Sequence, residues 1–222
     1  DFNYGSVSYA DSRANRAGWL GSLLFEYKLD WATPGLYGWY ASGDDGNPSN
    51  GSERLPSLST SSTDNGFSDF AFSGGKGLSR ESLVSYDMSG TWGIGVRLKD
   101  MSFIENLKHT VRLNVFGGTN STTMTRYLAN HNAAYTTFTT AGPNAGIAGS
   151  GPLYMTTNDT AMEIGMSNEY KMYDNFSVFL DASYISLWLD KSRSVWGNSR
   201  MNGRSDQERD PWDVNVRFVY SF

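Results

Sequence analysis

The last eleven residues of the chain alternate between apolar and polar side chains. The apolar or aromatic positions are Trp212, Val214, Val216, Phe218, Tyr220 and Phe222, and the polar ones are Asp213, Asn215, Arg217 and Ser221, with Val219 as the one exception. Successive side chains of a β-strand point to opposite faces, so a period of two predicts a strand with one apolar and one polar face. A fold built from such strands must give each face a different environment.

The same alternation recurs along the whole chain. It predicts eight strands, at residues 2–10, 18–30, 36–42, 85–99, 107–117, 159–172, 176–190 and 212–222. The segment 86–99 is the clearest interior case, because apolar residues or glycine alternate there with polar residues or glycine without interruption. The sequence therefore predicts an all-β chain of antiparallel strands in up-and-down order, with residues 1–222 forming a single domain.

The predicted connections alternate strictly between short and long. The short ones are 31–35, 100–106 and 173–175, and the long ones are 43–85, 118–158 and 190–211. Most loops in compact domains have about 4–6 residues, so three long ones on every second connection are unusual. Outer-membrane barrels have tight periplasmic turns and long extracellular loops. The pattern predicts a transmembrane β-barrel with three long extracellular loops, and it places Phe222 at the periplasmic end.

Composition excludes several other classes of protein. No run of about 18 apolar residues occurs, which excludes a transmembrane helix. The chain has no cysteine, so it has neither a disulfide scaffold nor a thiolate metal site. A net charge of −5 without basic clusters argues against nucleic acid as a partner. The only histidines are His109, which falls on the lipid-facing side near the end of a predicted strand, and His131, which lies in a loop without an acidic neighbour. We therefore expect no enzyme activity.

In a barrel of this kind the two faces have different roles. The apolar face is expected to contact lipid, with Trp92, Val216, Phe218, Tyr220 and Phe222 as its representatives. The polar face is expected to line a channel, through Glu26, Lys28, Asp87, Arg97, Lys99, Lys108, Arg112, Glu163, Glu169, Lys171, Asp181, Asp213 and Arg217. Their signs nearly balance, which predicts weak ion selectivity. In a narrow barrel the same charges would instead form ion pairs that fill the interior.

Aromatic residues concentrate near the ends of the predicted strands. Among them are Trp19, Trp31, Tyr37, Trp39, Trp188 and Trp212. Amphipathic rings favour the interface between lipid and water, so this clustering predicts two aromatic girdles.

The strand count leaves two architectures open. Eight strands can close into a small barrel whose interior is just wide enough for side chains, which would be a structural or ligand-binding and adhesion module without a pore. Alternatively, the eight strands are half of a barrel of sixteen. The long loop 43–85 contains Phe67, Phe70 and Phe72, and it is a candidate for folding into the lumen or for gripping a neighbouring subunit.

Several short segments carry a resemblance to a known family. They are 18–21, 27–31, 34–45, 170–175 and 219–222. These segments resemble the C-terminal half of the homotrimeric outer-membrane porins of sulfate-reducing bacteria. The resemblance implies a barrel of about sixteen strands, a homotrimer, passive diffusion of small hydrophilic solutes and ions, and contact with outer-membrane lipid and lipopolysaccharide. The terminal strand ending in Phe222 also resembles the closing strand that the barrel assembly machinery reads.

No cofactor is expected. The one candidate for a bound ion is the loop after the third strand, where Asp44, Asp45, Asn47, Asn50 and Glu53 supply oxygen ligands that suit Ca²⁺. Their spacing does not match an EF-hand loop, and solvated turn residues are the alternative interpretation.

Overall fold

The structure is a computed structural model, and it describes residues 1–8, 15–56, 67–72, 84, 88–124, 127, 155–192 and 209–222. Eight strands make up the fold: β1 (Phe2–Val7), β2 (Arg16–Glu26), β3 (Thr33–Ala41), β4 (Thr91–Ile104), β5 (Leu107–Gly118), β6 (Thr160–Tyr173), β7 (Phe176–Trp188) and β8 (Trp212–Tyr220). The predicted all-β fold is confirmed.

All eight strands belong to one sheet in which each strand pairs with the next along the chain. The order is β1 to β8 without a crossover, and every pairing is antiparallel. This confirms the predicted up-and-down topology, with β1 and β8 as the first and last strands of the order. Within the described ranges, no helix is long and apolar enough to cross a membrane.

The connections confirm the predicted alternation between the two ends of the sheet. Residues 27–32, 105–106 and 174–175 join strands at one end, which we call the short-turn end. Residues 42–90, 119–159 and 189–211 join strands at the opposite end, which we call the long-loop end.

The predicted start of the fourth strand was wrong by several residues. Met88 and Gly90 have φ angles of 57° and 72°, so the backbone turns there and β4 begins only at Thr91. The strand then continues past its predicted end to Ile104, through a register shift next to Asp100, whose φ is 55°. Asp87, expected to line a channel, lies outside the described residues.

One face of the sheet is apolar and exposed. Leu23, Phe25, Ile94, Val216 and Phe218 are each more than half exposed on it. A soluble monomer rarely exposes a contiguous apolar patch of more than a few hundred Å². This face therefore requires an apolar environment outside the chain, or a partner that covers it.

The buried core lies on the opposite, polar face. Its aromatic members on the strands are Tyr37 and Trp39 of β3 and Phe116 of β5. Phe67, Ala71 and Phe72, from the long β3–β4 connection, pack on them together with Val84. The core is thus formed between the sheet and a piece of loop, rather than between two sheets.

Candidate functional site

Residues 67–72, which we call the inner segment, lie against the polar face of β3 to β6. Five of the six residues are buried, and Phe70 alone is half-buried. The segment has no regular secondary structure, so its position depends on contacts with the strands. Those contacts define the candidate site.

A single carboxylate holds the backbone of the inner segment. Glu163 Oε1 accepts hydrogen bonds from the backbone N–H groups of Asp69 (3.1 Å), Phe70 (2.8 Å) and Ala71 (3.3 Å). Glu163 lies on the polar face of β6 and is only 1% exposed. Buried N–H groups need acceptors, and here one side chain satisfies three consecutive groups.

An ion pair holds the side chain of the same turn. Arg112 of β5 donates through Nη1 to Asp69 Oδ1, and both side chains are almost fully buried. Ser167 of β6 also donates to Asp69 Oδ1, at 3.2 Å. A buried ion pair loses its solvation and is tolerated only when its geometry and additional hydrogen bonds compensate. The Arg112–Asp69 pair therefore fixes where the segment lies along the strands.

The start of the segment is held through the carbonyl oxygen of Phe67. Asn114 Nδ2 donates to this oxygen at 2.6 Å, and the Tyr37 hydroxyl donates to it at 2.7 Å. Asn114 Nδ2 also donates to Glu163 Oε2 at 3.1 Å, which links this contact to the carboxylate on β6. Tyr37, Asn114 and Glu163 thus connect three strands to one segment.

Ring contacts complete the attachment. Phe67 stacks on Tyr37, with ring centroids 4.6 Å apart and planes 6° apart. Phe72 meets Trp39 and Phe116 edge to face, at 5.3 Å and 5.0 Å. Tyr37 and Trp39 are 2% and 4% exposed, so their prediction as members of a lipid-facing girdle was wrong. The alternation in β3 places both on the polar face, where they receive the phenylalanines of the loop.

Glycines on the polar face leave the room that the segment and its rings occupy. A Cβ on Gly93 of β4 would collide with the Trp39 ring, and a Cβ on Gly165 of β6 would collide with Asp69 Oδ2. Both positions are therefore restricted by close approach rather than by backbone conformation.

Beyond the inner segment, ion pairs cross the polar face from β2 to β4 and between the neighbouring strands β7 and β8. Near the short-turn end, Arg97 Nη2 lies 2.9 Å from Glu26 Oε1, and Lys99 Nζ lies 3.9 Å from the same oxygen. On β7 and β8, Arg217 Nη2 lies 3.3 Å from Asp181 Oδ2. The Arg217 guanidinium also lies over the ring of Phe179, at 4.7 Å.

The residues expected to line a channel fall into two groups. Arg112 and Glu163 are on the polar face but are covered by the inner segment, so they hold that segment instead of bordering open space. Of the other described residues, Arg97 and Asp181 are also buried, in ion pairs with Glu26 and Arg217. Those that stay at least partly exposed are Glu26, Lys28, Lys99, Lys108, Glu169, Lys171, Asp213 and Arg217. Lys28 and Lys171 are exposed near the short-turn end. Lys171 donates to Asp174 at 2.9 Å, and this hydrogen bond lowers the pKa of the Asp174 carboxyl.

The residues expected on the apolar face share it in the structure. Val216 and Phe218 are 54% and 68% exposed, and Trp92 is half-buried beside Gly117. Tyr220 and Phe222 are exposed at the short-turn end, with their rings 6.2 Å apart. His109 Nδ1 lies 2.6 Å from Asn168 Oδ1, and His131 lies outside the described residues.

In the loop proposed for Ca²⁺, the carboxylate oxygens accept hydrogen bonds from other residues of the same loop. Asp44 accepts from the Ser52 hydroxyl, Asp45 accepts from Asn47 N–H and Asn50 Nδ2, and Glu53 accepts from Asp45 N–H. In the part of the chain that the structure describes, no three His, Cys, Asp or Glu side chains converge as a metal site requires. The turn interpretation explains these residues without an ion.

At the long-loop end, Asp210 ties the start of β8 to β7. It accepts hydrogen bonds from the Tyr184 hydroxyl (2.5 Å), from the Leu187 N–H (3.0 Å) and from the Ser186 hydroxyl (3.3 Å). These hydrogen bonds lower the pKa of the Asp210 carboxyl, and the one from the Tyr184 hydroxyl has the largest effect. These hydrogen bonds fix the position at which β8 begins relative to β7.

Comparison of the chain with models of protein families, with curated proteins and with solved structures found no match. The functional argument therefore depends on the geometry of the sheet and the inner segment.

Sequence reasoning missed three residues of the site: Asp69, Asn114 and Tyr37. One signal becomes visible once the strands are in register. Arg97 of β4 pairs directly with Arg112 of β5, and like charges opposite each other are unfavourable unless each has its own partner. Arg97 pairs with Glu26 of β2, and the need of Arg112 for a carboxylate of its own is the signal that points to Asp69.

Proposed function

We propose that this chain forms part of the wall of an outer-membrane porin, in which the inner segment narrows an aqueous lumen. The observation that carries the proposal is a chain segment bound to the polar face of a sheet whose other face is apolar and exposed. Lipid then contacts the apolar face, and small hydrophilic solutes and ions diffuse along the polar one. The mechanism requires no cofactor.

The inner segment also favours a wide barrel over a narrow one. The interior of an eight-stranded barrel is just wide enough for side chains. The inner segment adds backbone and three phenyl rings to the same space, on top of Tyr37 and Trp39. This supports a barrel with more strands than eight, as in a porin of about sixteen strands assembled as a trimer.

The paired charges indicate a pore of weak ion preference. Glu26 with Arg97 and Asp181 with Arg217 place charges of both signs close together on the polar face. Such pairs produce local transverse fields rather than a ring of one sign, so small solutes of either charge can pass.

The second candidate function is a small closed barrel that acts as a structural or binding module without a pore. The same ion pairs favour it, because paired charges can fill a narrow interior. The bulk of the inner segment argues against it.

Planar-bilayer recording with the full chain, purified and folded in detergent, distinguishes the two. We expect stepwise conductance in KCl, and uptake of small sugars by liposomes that contain the protein. A folded barrel that migrates differently when heated, yet gives no conductance and no sugar uptake, would refute the porin and support the closed module.

A further inference from the structure

Phe70 differs from the rest of the inner segment in its exposure. Phe67, Ser68, Asp69, Ala71 and Phe72 are all between 0% and 8% exposed, whereas Phe70 is half-buried. It packs in part against the hydrophobic core, and it is the one residue of the segment that is not fully buried.

The backbone of Phe70 is held on both sides. Its own N–H donates to Glu163 at 2.8 Å, and the N–H groups of Asp69 and Ala71 donate to the same oxygen. The Arg112–Asp69 ion pair fixes the preceding residue. Because its backbone is restrained in this way, Phe70 has a defined position relative to the strands.

The arginines on the polar face of β4 and β5 are paired with carboxylates. Arg112 pairs with Asp69, and Arg97, the next arginine along the polar face, pairs with Glu26. The residue of the segment that stays partly exposed is thus uncharged and aromatic. An aromatic ring contacts C–H groups well, whereas a strongly hydrated ion has to give up water to make the same contact.

From this arrangement we infer that Phe70 is the specificity-determining residue of the pore, limiting solute size and favouring neutral solutes with C–H faces, such as sugars, over strongly hydrated ions. The inference rests on the proposed porin function. It goes further by assigning the contact with the solute to one side chain and by stating the class of solute that this side chain favours.

The absence of cysteine from the chain allows a direct test of accessibility. Phe70→Cys and Phe72→Cys are made in the full chain and exposed to a charged, water-soluble methanethiosulfonate during bilayer recording. A thiol at position 72 becomes accessible only after local opening, so we expect it to react at least about tenfold more slowly than one at position 70. Reaction at position 70 should reduce the conductance.

Two further variants test size and charge. Phe70→Ala should raise the conductance and admit larger sugars into liposomes, and Phe70→Asp should shift the reversal potential toward cation preference. Phe103→Ala is the matched control, because Phe103 is 70% exposed on β4 at the short-turn end, and we expect it to leave conductance and sugar uptake unchanged. Heat-modifiable migration of each variant verifies folding.

The outcomes separate the inference from the function on which it rests. Equal reaction rates at positions 70 and 72, or reaction at position 70 without a change in current, would overturn the inference. If the wild type conducts and Phe70→Ala and Phe70→Asp have the same conductance and reversal potential as the wild type, the inference is also overturned. The porin function would then still stand. A folded wild type that neither conducts nor admits sugars would refute the porin function, and the role of Phe70 with it.

Discussion

Arg97 and Arg112 lie directly opposite each other on β4 and β5, and each is paired with a different carboxylate. Arg97 pairs with Glu26 in the wall, two strands away. Arg112 pairs with Asp69 of the inner segment, which lies 43 residues earlier in the chain. The inner segment thus supplies a carboxylate for one of two facing arginines, and this contact contributes to the stability of the sheet.

The Arg112–Asp69 pair should behave as a coupled unit. Arg112→Met or Asp69→Leu alone leaves a buried charge without its partner, and we expect each to lower the free energy of unfolding by about 3–5 kcal/mol. The double variant removes both charges and should lose less than the sum. Urea unfolding in detergent measures all four proteins, and strictly additive losses would contradict a direct pair.

Removal of the Glu163 carboxylate should release the inner segment. Glu163→Ala leaves three backbone N–H groups without their acceptor, at about 1–3 kcal/mol for each one that stays buried. We therefore expect a thiol at position 72 to react much faster in this background. Glu169→Ala is the control, because Glu169 lies on the same face of β6 nearer the short-turn end. Equal reactivity in both backgrounds would show that Glu163 does not hold the segment.

Arg217 tests the uncovered part of the polar face. Its side chain is partly exposed beside Asp181, so Arg217→Glu should place two carboxylates together and shift the reversal potential in a KCl gradient toward cation preference. Arg217→Lys preserves the charge and should leave the potential unchanged. An unchanged potential in Arg217→Glu would argue against a lumen on this face.

Val216 tests the apolar face at the adjacent position. Val216→Arg should lower the free energy of unfolding from lipid vesicles by about 2–4 kcal/mol if the residue lies near the bilayer midplane. Asn215→Arg is the matched control, because Asn215 lies on the polar face opposite Asp181. Equal losses from the two variants would mean that the two faces are not in different environments.

The attachment of β8 through Asp210 should depend on pH. Its pKa is lowered in the folded chain, so the carboxylate contributes stability above the pKa of an unfolded aspartate, and this contribution is lost as the pH falls through the lowered value. The difference in unfolding free energy between wild type and Asp210→Asn should therefore be largest at neutral pH and shrink in acid. A difference that is constant down to strongly acidic pH would exclude this role of Asp210.

The alternation of side chains was sufficient to predict the sheet, because each strand pairs with its neighbour in sequence and period two assigns the faces. It placed Arg112 and Glu163 on the polar face correctly. It failed at the start of β4, since the sequence alternation continues through Met88 and Gly90, where the φ angles are positive. Periodicity reports which side a residue would face in a strand, and it does not report where a strand begins.

The position of the inner segment could not be predicted in the same way. Residues 67–72 have no period, and their hydrogen bonds to Glu163 join residues that are 92 to 94 positions apart. Such contacts depend on the three-dimensional register of four strands. The three phenylalanines identified the loop as a candidate for folding inward, but only the partners on β3, β5 and β6 decide where it lies.

The separation between the inner segment and β6 also constrains the order of folding. The strands can add one after another, because each needs only its predecessor, and contacts between sequence neighbours form rapidly. In any order of assembly in which β6 joins the sheet after residues 67–72 have arrived, the inner segment lacks the Glu163 carboxylate for a time. Such an intermediate would expose three phenylalanines that nothing yet holds in place, and exposed apolar surface of this kind promotes aggregation.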